Sequence, residues 1–191
     1  MTESSSDAAL VAACRRGDGE ALAQLVERYQ MDVFGTSLRL TRDRDAALEL
    51  ANAAFYKAYQ NLHAYDETRP LRPWLLRIAT NETLNWLRSR RRERDHVLEG
   101  ESAETALEVT ADTEAQEPEH AALLLEERAT VRAALAALPE RYRVVLTLRY
   151  FDDLTYAEIA EITGQEANAV GVQLLRARNL LKEALQRGSR S

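Results

Sequence analysis

The chain has 191 residues, 46% of them apolar and 29% charged, which is typical of one or two small soluble domains. It contains no apolar run of the ~18 residues that a membrane span needs, and its first residues, MTESSSDAA, lack the pattern of a signal peptide. A single cysteine, Cys14, excludes an internal disulfide, and the three histidines have no metal-ligand spacing. We therefore expect a cytoplasmic protein without a cofactor or metal.

The formal net charge of −6 is unevenly distributed along the chain. Segment 99–119 holds eight acidic residues and no Lys or Arg, whereas five arginines lie between Arg88 and Arg94. Without the acidic segment, the rest of the chain would be slightly positive. Because the charge of each domain governs its attraction to nucleic acid, the negative total does not exclude DNA binding.

The first half of the chain has the apolar periodicity of consecutive helices. Gly and Pro are few, and helix-favouring Ala, Leu, Glu and Arg dominate. The periodicity predicts helices over about 7–16, 20–40, 45–62 and 74–94. Segment 63–73 is predicted to be a loop, because its two prolines oppose regular helix.

Helical periodicity fades after Asp95 and resumes at His120. The intervening residues are acidic, small and polar, which is typical of a solvated linker. Further helices are predicted over about 121–138, 140–151, 156–162 and 166–186. The sequence thus predicts an all-α chain, with helical domains at 1–95 and 120–191 joined by a flexible acidic linker at 96–119.

The last two predicted helices have the spacing of a helix-turn-helix. Ala160 allows close packing of the first helix, Gly164 suits a left-handed turn, and Val170 anchors the second helix. Such a pair presents one exposed face sized for a major groove. Sequence-specific DNA binding is the leading hypothesis, and an ordinary helical hairpin is the alternative.

A polar stripe follows one side of the fourth predicted helix. Its members recur at i, i+4, i+8 and i+11 and are Arg77, Asn81, Asn85 and Arg88. The stripe comes just after a polar loop that contains Tyr65 and Thr68. Amide and guanidinium groups read base edges, so the arrangement suits an unstacked base. A solvated helix face with a basic end is the other interpretation.

The sequence has no recognisable catalytic constellation. A Gly-rich phosphate loop, an HExxH motif and a nucleophile elbow are all missing. Asp152 and Asp153 lie together, but at a predicted helix start, which explains them better than acid–base chemistry does. We expect the chain not to be an enzyme.

Three segments in this order resemble the extracytoplasmic-function (ECF) sigma factors, the smallest members of the sigma-70 family. They read AFYKAYQNLHAYD, PWLLRIATNETLNWLRSRRR and LPERYRVVLTLRYFDDLTYAEIAEITG. The resemblance covers about 8–95 and 120–186. It implies a region 2 helical bundle that binds core RNA polymerase and reads the −10 promoter element. It also implies a region 4 helix-turn-helix that reads the −35 element of promoter DNA. Family members often have an anti-sigma factor, which is a further candidate partner.

The resemblance also assigns roles to individual residues. It places Asn81 at a pocket for a flipped non-template base, walled by the loop from Tyr65 to Arg72. The residues implied at the −10 element are Tyr65, Thr68, Arg77, Asn81, Asn85 and Arg88. Those implied at the −35 element are Arg149, Thr155 and Tyr156 on phosphates and Val172, Gln173, Arg176 and Arg178 in the major groove. Those implied at core polymerase are Glu49, Asn52 and Phe55.

Two segments depart from the family pattern. Where the family usually has Gln and an acid before the Phe, this chain has Asn52-Ala53-Ala54-Phe55, so we expect weaker core binding. The recognition helix reads Ala169-Val170-Gly171-Val172-Gln173 in place of a run with two cations. There Gln173 is expected to read adenine and Val172 to pack on a thymine methyl, so the −35 sequence would differ or its recognition would be weak.

Three functions remain open at this point. The favoured one is a working sigma factor with a divergent promoter and weakened core affinity. The second is a sigma-like interaction protein that titrates an anti-sigma factor and hardly touches DNA. The third is a stand-alone helix-turn-helix regulator, although the dimer-forming heptads that such regulators often use are absent from the sequence.

Overall fold

The computed structural model describes residues 6–97 and 129–188, and all the regular structure within these two ranges is helical. The two ranges belong to two separate compact units. The predicted all-α fold is therefore confirmed for the described residues. None of the described helices is long and apolar enough to cross a membrane.

The described part of the first unit contains four α-helices and one short 3₁₀ turn. The elements are α1 (Asp7–Arg15), α2 (Gly19–Thr41), α3 (Arg44–Gln60), the 3₁₀ turn (Leu62–Ala64) and α4 (Leu71–Val97). Helices α2, α3 and α4 pack against one another around a shared apolar core, and α1 packs on α2. Leu40, Leu71 and Leu76 are among its fully buried side chains.

Side-chain caps explain where these helices begin. The Asp18 carboxylate accepts hydrogen bonds from the backbone N–H groups of Glu20 and Ala21, at 2.9 and 3.2 Å. The Asp43 carboxylate accepts one from Ala46 at 3.0 Å. Because such caps satisfy N–H groups that the first turn leaves unpaired, they set each helix start from local sequence alone.

The fourth helix differs from its predicted bounds at both ends. It begins at Leu71 and so includes Pro73, which the sequence pattern placed in a loop. Proline is tolerated in a first helical turn because its missing N–H would have had no intrahelical partner there. The helix continues to Val97, past the predicted domain end. The rest of the predicted acidic linker, 98–119, lies outside the described residues, as does 120–128 of the predicted second domain.

The second unit contains four helices in its described part. They are α5 (described over residues 129–136), α6 (Glu140–Tyr150), α7 (Tyr156–Thr163) and α8 (Ala167–Gly188). Helix α6 packs against α7 and α8, and its Val145 and Leu148 are fully buried. This packing gives α7 and α8 a common apolar support, and their remaining faces point to solvent.

Helices α7 and α8 form the helix-turn-helix that the spacing predicted. Thr155 and Glu158 make a reciprocal capping box at the start of α7. Gly164 ends α7 in the left-handed region, with φ 68°, and donates its N–H to the Ala160 carbonyl. Val170 is completely buried and Ala160 nearly so. The small, left-handed and apolar positions thus have the roles that their residue types indicated.

Two glycines in this motif should respond oppositely to alanine. Gly164→Ala should destabilise the second unit by about 1–2 kcal/mol, because a β-carbon opposes the left-handed backbone. Gly171→Ala should stabilise it by about 1 kcal/mol, because alanine favours helix and its Cβ would lie at an ordinary 3.5 Å from Tyr156 Cε2. Urea unfolding of the full chain, followed by circular dichroism, measures both. Shifts of the same sign would contradict this account.

Candidate nucleic-acid interface

The polar stripe predicted on the fourth helix faces solvent along α4. Arg77, Asn85 and Arg88 are exposed and Asn81 is half-buried. The opposite side of α4 is closed, since Leu76, Ala79, Thr80 and Thr83 are fully buried in the first unit. Arg88 donates to Asn85 Oδ1 at 2.8 Å, whereas the Asn81 amide makes no hydrogen bond with the described residues. The stripe therefore presents donors and acceptors from a rigid support.

The loop beside this stripe is held in a tight local turn. The Thr68 hydroxyl and N–H both donate to Asp66 Oδ1, at 2.7 and 3.0 Å. These two bonds, the hydroxyl first, hold the pKa of the Asp66 carboxyl below its usual value. Thr68 is exposed at the loop surface, as its predicted DNA contact requires, although its hydroxyl is already engaged.

Tyr65 lies inside the first unit, where it does not offer a face to DNA. Its side chain is 7% exposed, and its ring lies 5.1 Å from the Trp74 ring between centroids. Its hydroxyl donates to the Arg69 carbonyl, and burial raises the pKa of that hydroxyl. In this position the ring fixes the loop onto α4, and the predicted contact of Tyr65 with the −10 element would require the ring to leave this packing.

Arg15, the last residue of α1, is a positioning residue that the sequence interpretation missed. Its guanidinium donates to the carbonyls of Leu62 and Tyr65, the latter at 2.8 Å, and it pairs with Glu67. Arg15 thus connects α1 to the start of the loop. Nothing in the sequence distinguishes it from Arg16, because its partners lie about fifty residues away.

Removing the Arg15 guanidinium should loosen this loop. Arg15→Gln leaves two carbonyls without their charged donor, and we expect a loss of about 1–2 kcal/mol in the free energy of unfolding, since water partly replaces the donor at this half-open site. Urea unfolding measures the loss, and limited proteolysis reports cleavage near the loop. Arg16→Gln is the matched control. Equal effects of the two substitutions would show that the guanidinium contacts contribute nothing.

The arginine cluster at the end of α4 is partly structural. Arg90 pairs with Asp43 at 3.1 Å and lies over the Trp86 ring, 4.8 Å from its centroid. The N–H of Ala46, and then Arg90, hold the pKa of the Asp43 carboxyl below its usual value. Arg90 therefore braces the start of α3. Arg88 and Arg92 remain exposed.

The residues predicted to bind core polymerase divide between two sides of α3. Glu49 and Asn52 are exposed, on the same side as Ala53 and Tyr56. Phe55 turns inward instead, where it is half-buried and lines a small apolar cavity with Leu25, Leu62 and Leu75. Phe55 thus supports the helix from within. A solvent-facing apolar group is supplied by Tyr56, which is 65% exposed.

The side chains predicted to contact phosphates at the start of α7 already have partners within the second unit. The Thr155 hydroxyl lies 2.7 Å from Glu158 Oε2 and accepts from the Glu158 N–H at 3.3 Å. Arg149 donates to the Leu154 carbonyl at 3.1 Å and lies over the Tyr156 ring. These three side chains therefore hold the entry of α7. Tyr156 remains 45% exposed, so part of its side chain is open to solvent.

The candidate base-reading residues on α8 do not share one face. Gln173 is half-buried, and its Nε2 donates to the Arg141 carbonyl at 2.8 Å, so its predicted reading of adenine would require this bond to break. Arg176 and Arg178 are both exposed. However, two residues along an α-helix are about 200° apart around its axis, so these arginines lie on opposite flanks of α8. Val172 is exposed between them, as predicted.

Leu175 is a surface residue of α8 that the sequence interpretation missed. It is 53% exposed and follows Val172, which is 52% exposed, by three residues. Residues at this spacing are neighbours on a helix surface. The i, i+3 relation was a usable signal, but Leu175 alone resembles an ordinary core leucine.

No group of three or more potential metal ligands occurs among the described residues.

Two family models match the chain, one in each unit. The model of sigma-70 region 2 matches residues 25–93, and that of sigma-70 region 4 matches residues 128–181. The chain is 36% identical over 187 residues to the RNA polymerase sigma-H factor of Pseudomonas aeruginosa, with 97% of each chain covered. It is 32% identical to the ECF RNA polymerase sigma factor SigW of Bacillus subtilis, over 90% of this chain and 92% of that protein.

Solved structures of similar fold agree with these matches. One is the sigma factor RpoE in complex with the anti-sigma factor NepR from Bartonella quintana, with a TM-score of 0.67 and 22% identity over 86% of this chain and 96% of that one. Another is CnrH in complex with the cytosolic domain of CnrY, with a TM-score of 0.61 and 23% identity over 93% and 96% of the two chains. At these identities the likeness concerns the fold.

Proposed function

Because this chain belongs to the ECF sigma factors of the sigma-70 family, we propose that it binds core RNA polymerase and directs it to specific promoters, where it initiates transcription. The family assignment rests on relatives above 30% identity that match over both units. That full-length match favours a sigma factor over a stand-alone helix-turn-helix regulator. Sigma factors are initiation factors rather than enzymes, and binding to core polymerase would require this chain to be in the cytoplasm.

The observation that carries the proposal is the stripe on α4. A half-buried amide with no hydrogen bond to the described residues, flanked by exposed Arg77 and Asn85, suits an unstacked base. In this proposal Asn81 reads a base of the −10 element, and Arg88 contacts the strand beside it. Thr68 lies at the edge of this surface, while Tyr65 and Arg15 position the loop from behind.

The second unit is proposed to bind the −35 element through α8. Exposed Arg176 and Arg178 reach the phosphates on either side of the groove, and Tyr156 packs beside the backbone at the entry of α7. Arg149 and Thr155 act by holding that entry in place. The same proposal includes the acidic segment as the linker between the units and an anti-sigma factor as a further partner. It also includes the exposed face of α3 as the core-binding surface.

Run-off transcription tests the proposed function. The reaction contains purified core polymerase, the full chain, and the DNA upstream of the gene that encodes it; core alone is the control. We expect a discrete transcript that requires the chain. If no transcript forms and gel filtration shows no association with core, the sigma function is excluded. That result would favour the interaction-protein alternative, which the loss of the acid beside Asn52 already suggests.

A further inference from the structure

An apolar strip occupies the middle of the exposed face of α8. Val172 and Leu175 are 52% and 53% exposed, one turn apart. The buried side of the helix is set by Val170, Leu174 and Ala177, which are at most 1% exposed. Since residue 172 lies about 200° from both 170 and 174, its side chain points away from the second unit. The strip is thus directed outward by the packing of α8.

The hydrogen-bonding side chains next to this strip lie to its sides or are bound within the second unit. Gln173 is bound to the Arg141 carbonyl, and Gly171, which lies beside the Tyr156 ring, has no side chain. Arg176 and Arg178 lie on opposite sides of the strip, roughly 70–90° from its centre around the helix axis. The face therefore consists of an apolar centre with one cation on each flank.

This arrangement matches the profile of a major groove. A helix in that groove meets base edges along its centre and a phosphate backbone on each side. The one apolar group that bases present there is the C5-methyl of thymine. A protein partner could also bind an apolar strip, but two outward cations on opposite flanks fit two phosphate backbones better than a single apolar helix.

We propose that Val172 and Leu175 select the −35 element by packing on thymine methyl groups, so that T·A pairs at neighbouring positions determine specificity. The inference rests on the proposed function of α8 in DNA binding. It assigns Leu175 a role in recognition and gives Val172 an aliphatic partner for the same task. Hydrogen-bond readout would then be left to residues toward the ends of the face, such as Asn168 and Asn179, both exposed.

Replacing thymine by deoxyuridine tests this inference, because the two bases differ only by the methyl group. The full chain first selects duplexes from a random library, and the enriched duplex is then prepared with deoxyuridine at one thymine at a time. Fluorescence anisotropy measures the affinity. We expect about fourfold weaker binding at each contacted position, which corresponds to ~0.8 kcal/mol for one buried methyl-sized group.

Protein variants give the second half of the test. In Val172→Ala and Leu175→Ala, the preference for thymine over deoxyuridine should disappear at the position each residue contacts, whereas a merely structural residue would weaken both duplexes equally. Val131→Ala, at an exposed valine of α5, is the matched control and should keep the preference.

Each contrary outcome has a distinct meaning. An enriched duplex that binds equally well with deoxyuridine overturns the methyl readout but leaves DNA binding intact. Loss of affinity for an anti-sigma factor in both variants, with unchanged DNA affinity, would assign the strip to a protein partner. Failure to enrich any duplex, together with no run-off transcript, overturns the inference and the proposed function together.

Discussion

Asn81→Ala is expected to lower promoter-specific transcription by about ten- to a hundredfold while core binding is unchanged. A side-chain amide that hydrogen-bonds a base edge contributes roughly 1–3 kcal/mol of discrimination, and ~1.4 kcal/mol corresponds to a factor of ten. Asn81 has the geometry for this role, because it is half-buried on α4 and its amide has no hydrogen bond to any described residue. Removing the amide therefore breaks no hydrogen bond within the described part of the first unit.

Run-off transcription measures this effect, with gel filtration against core polymerase alongside it. Gln24→Ala is the matched control, since it likewise removes a side-chain amide from a helix, here at an exposed position of α2. It should leave the transcript unchanged. A premelted template, in which the −10 bases are already unpaired, separates melting from reading: the defect should persist if Asn81 reads the base. Full activity of Asn81→Ala on both templates would remove the base-pocket role.

The double substitution Asn52→Gln and Ala53→Asp should tighten binding to core polymerase by about ten- to a hundredfold. It restores the longer amide and the acid that the sigma-70 resemblance implies at these positions. Both residues are exposed on α3, so the new side chains reach solvent without repacking the core. A charge-assisted hydrogen bond at an interface is worth about 1.5–3 kcal/mol, which gives this range of affinity.

Titration of fluorescently labelled chain with core polymerase measures the gain. Because the added contact is ionic, the gain in affinity should shrink as the salt concentration increases. Any contribution of apolar contacts from Tyr56 should not weaken in this way. Ala23→Asp, on an exposed position of α2, controls for the added charge and should have no effect. An unchanged affinity in the double variant would mean that the core-binding surface of this chain does not include that part of α3.

Local sequence determined the helices and the turn of the second unit. Asp18, Asp43 and Thr155 cap helices through residues within three positions, and Gly164 supplies a left-handed backbone that few other residues adopt. Apolar periodicity likewise marked the buried face of each helix. These features depend on neighbours in the chain, so the pattern of residue types was sufficient to predict them.

The roles of individual surface residues were decided by tertiary structure. Tyr65 turns inward against Trp74, Phe55 lines an apolar cavity, and Gln173 is bound to a carbonyl thirty-two residues earlier. The sequence alone does not show whether these side chains face solvent. Their partners lie on other helices, which meet only in the folded unit. The same holds for Arg15, which no spacing connects to its loop.

The sequence by itself therefore determined the all-α fold class, the helix-turn-helix and the outward stripe on α4. All three follow from short-range periodicity and backbone preference. Only the tertiary structure decided which side chains remain free for a partner. It engaged Gln173 and left Val172 and Leu175 as the centre of the α8 face. The physical reason is that burial and long-range hydrogen bonds compete for the same side chains that a binding surface would use.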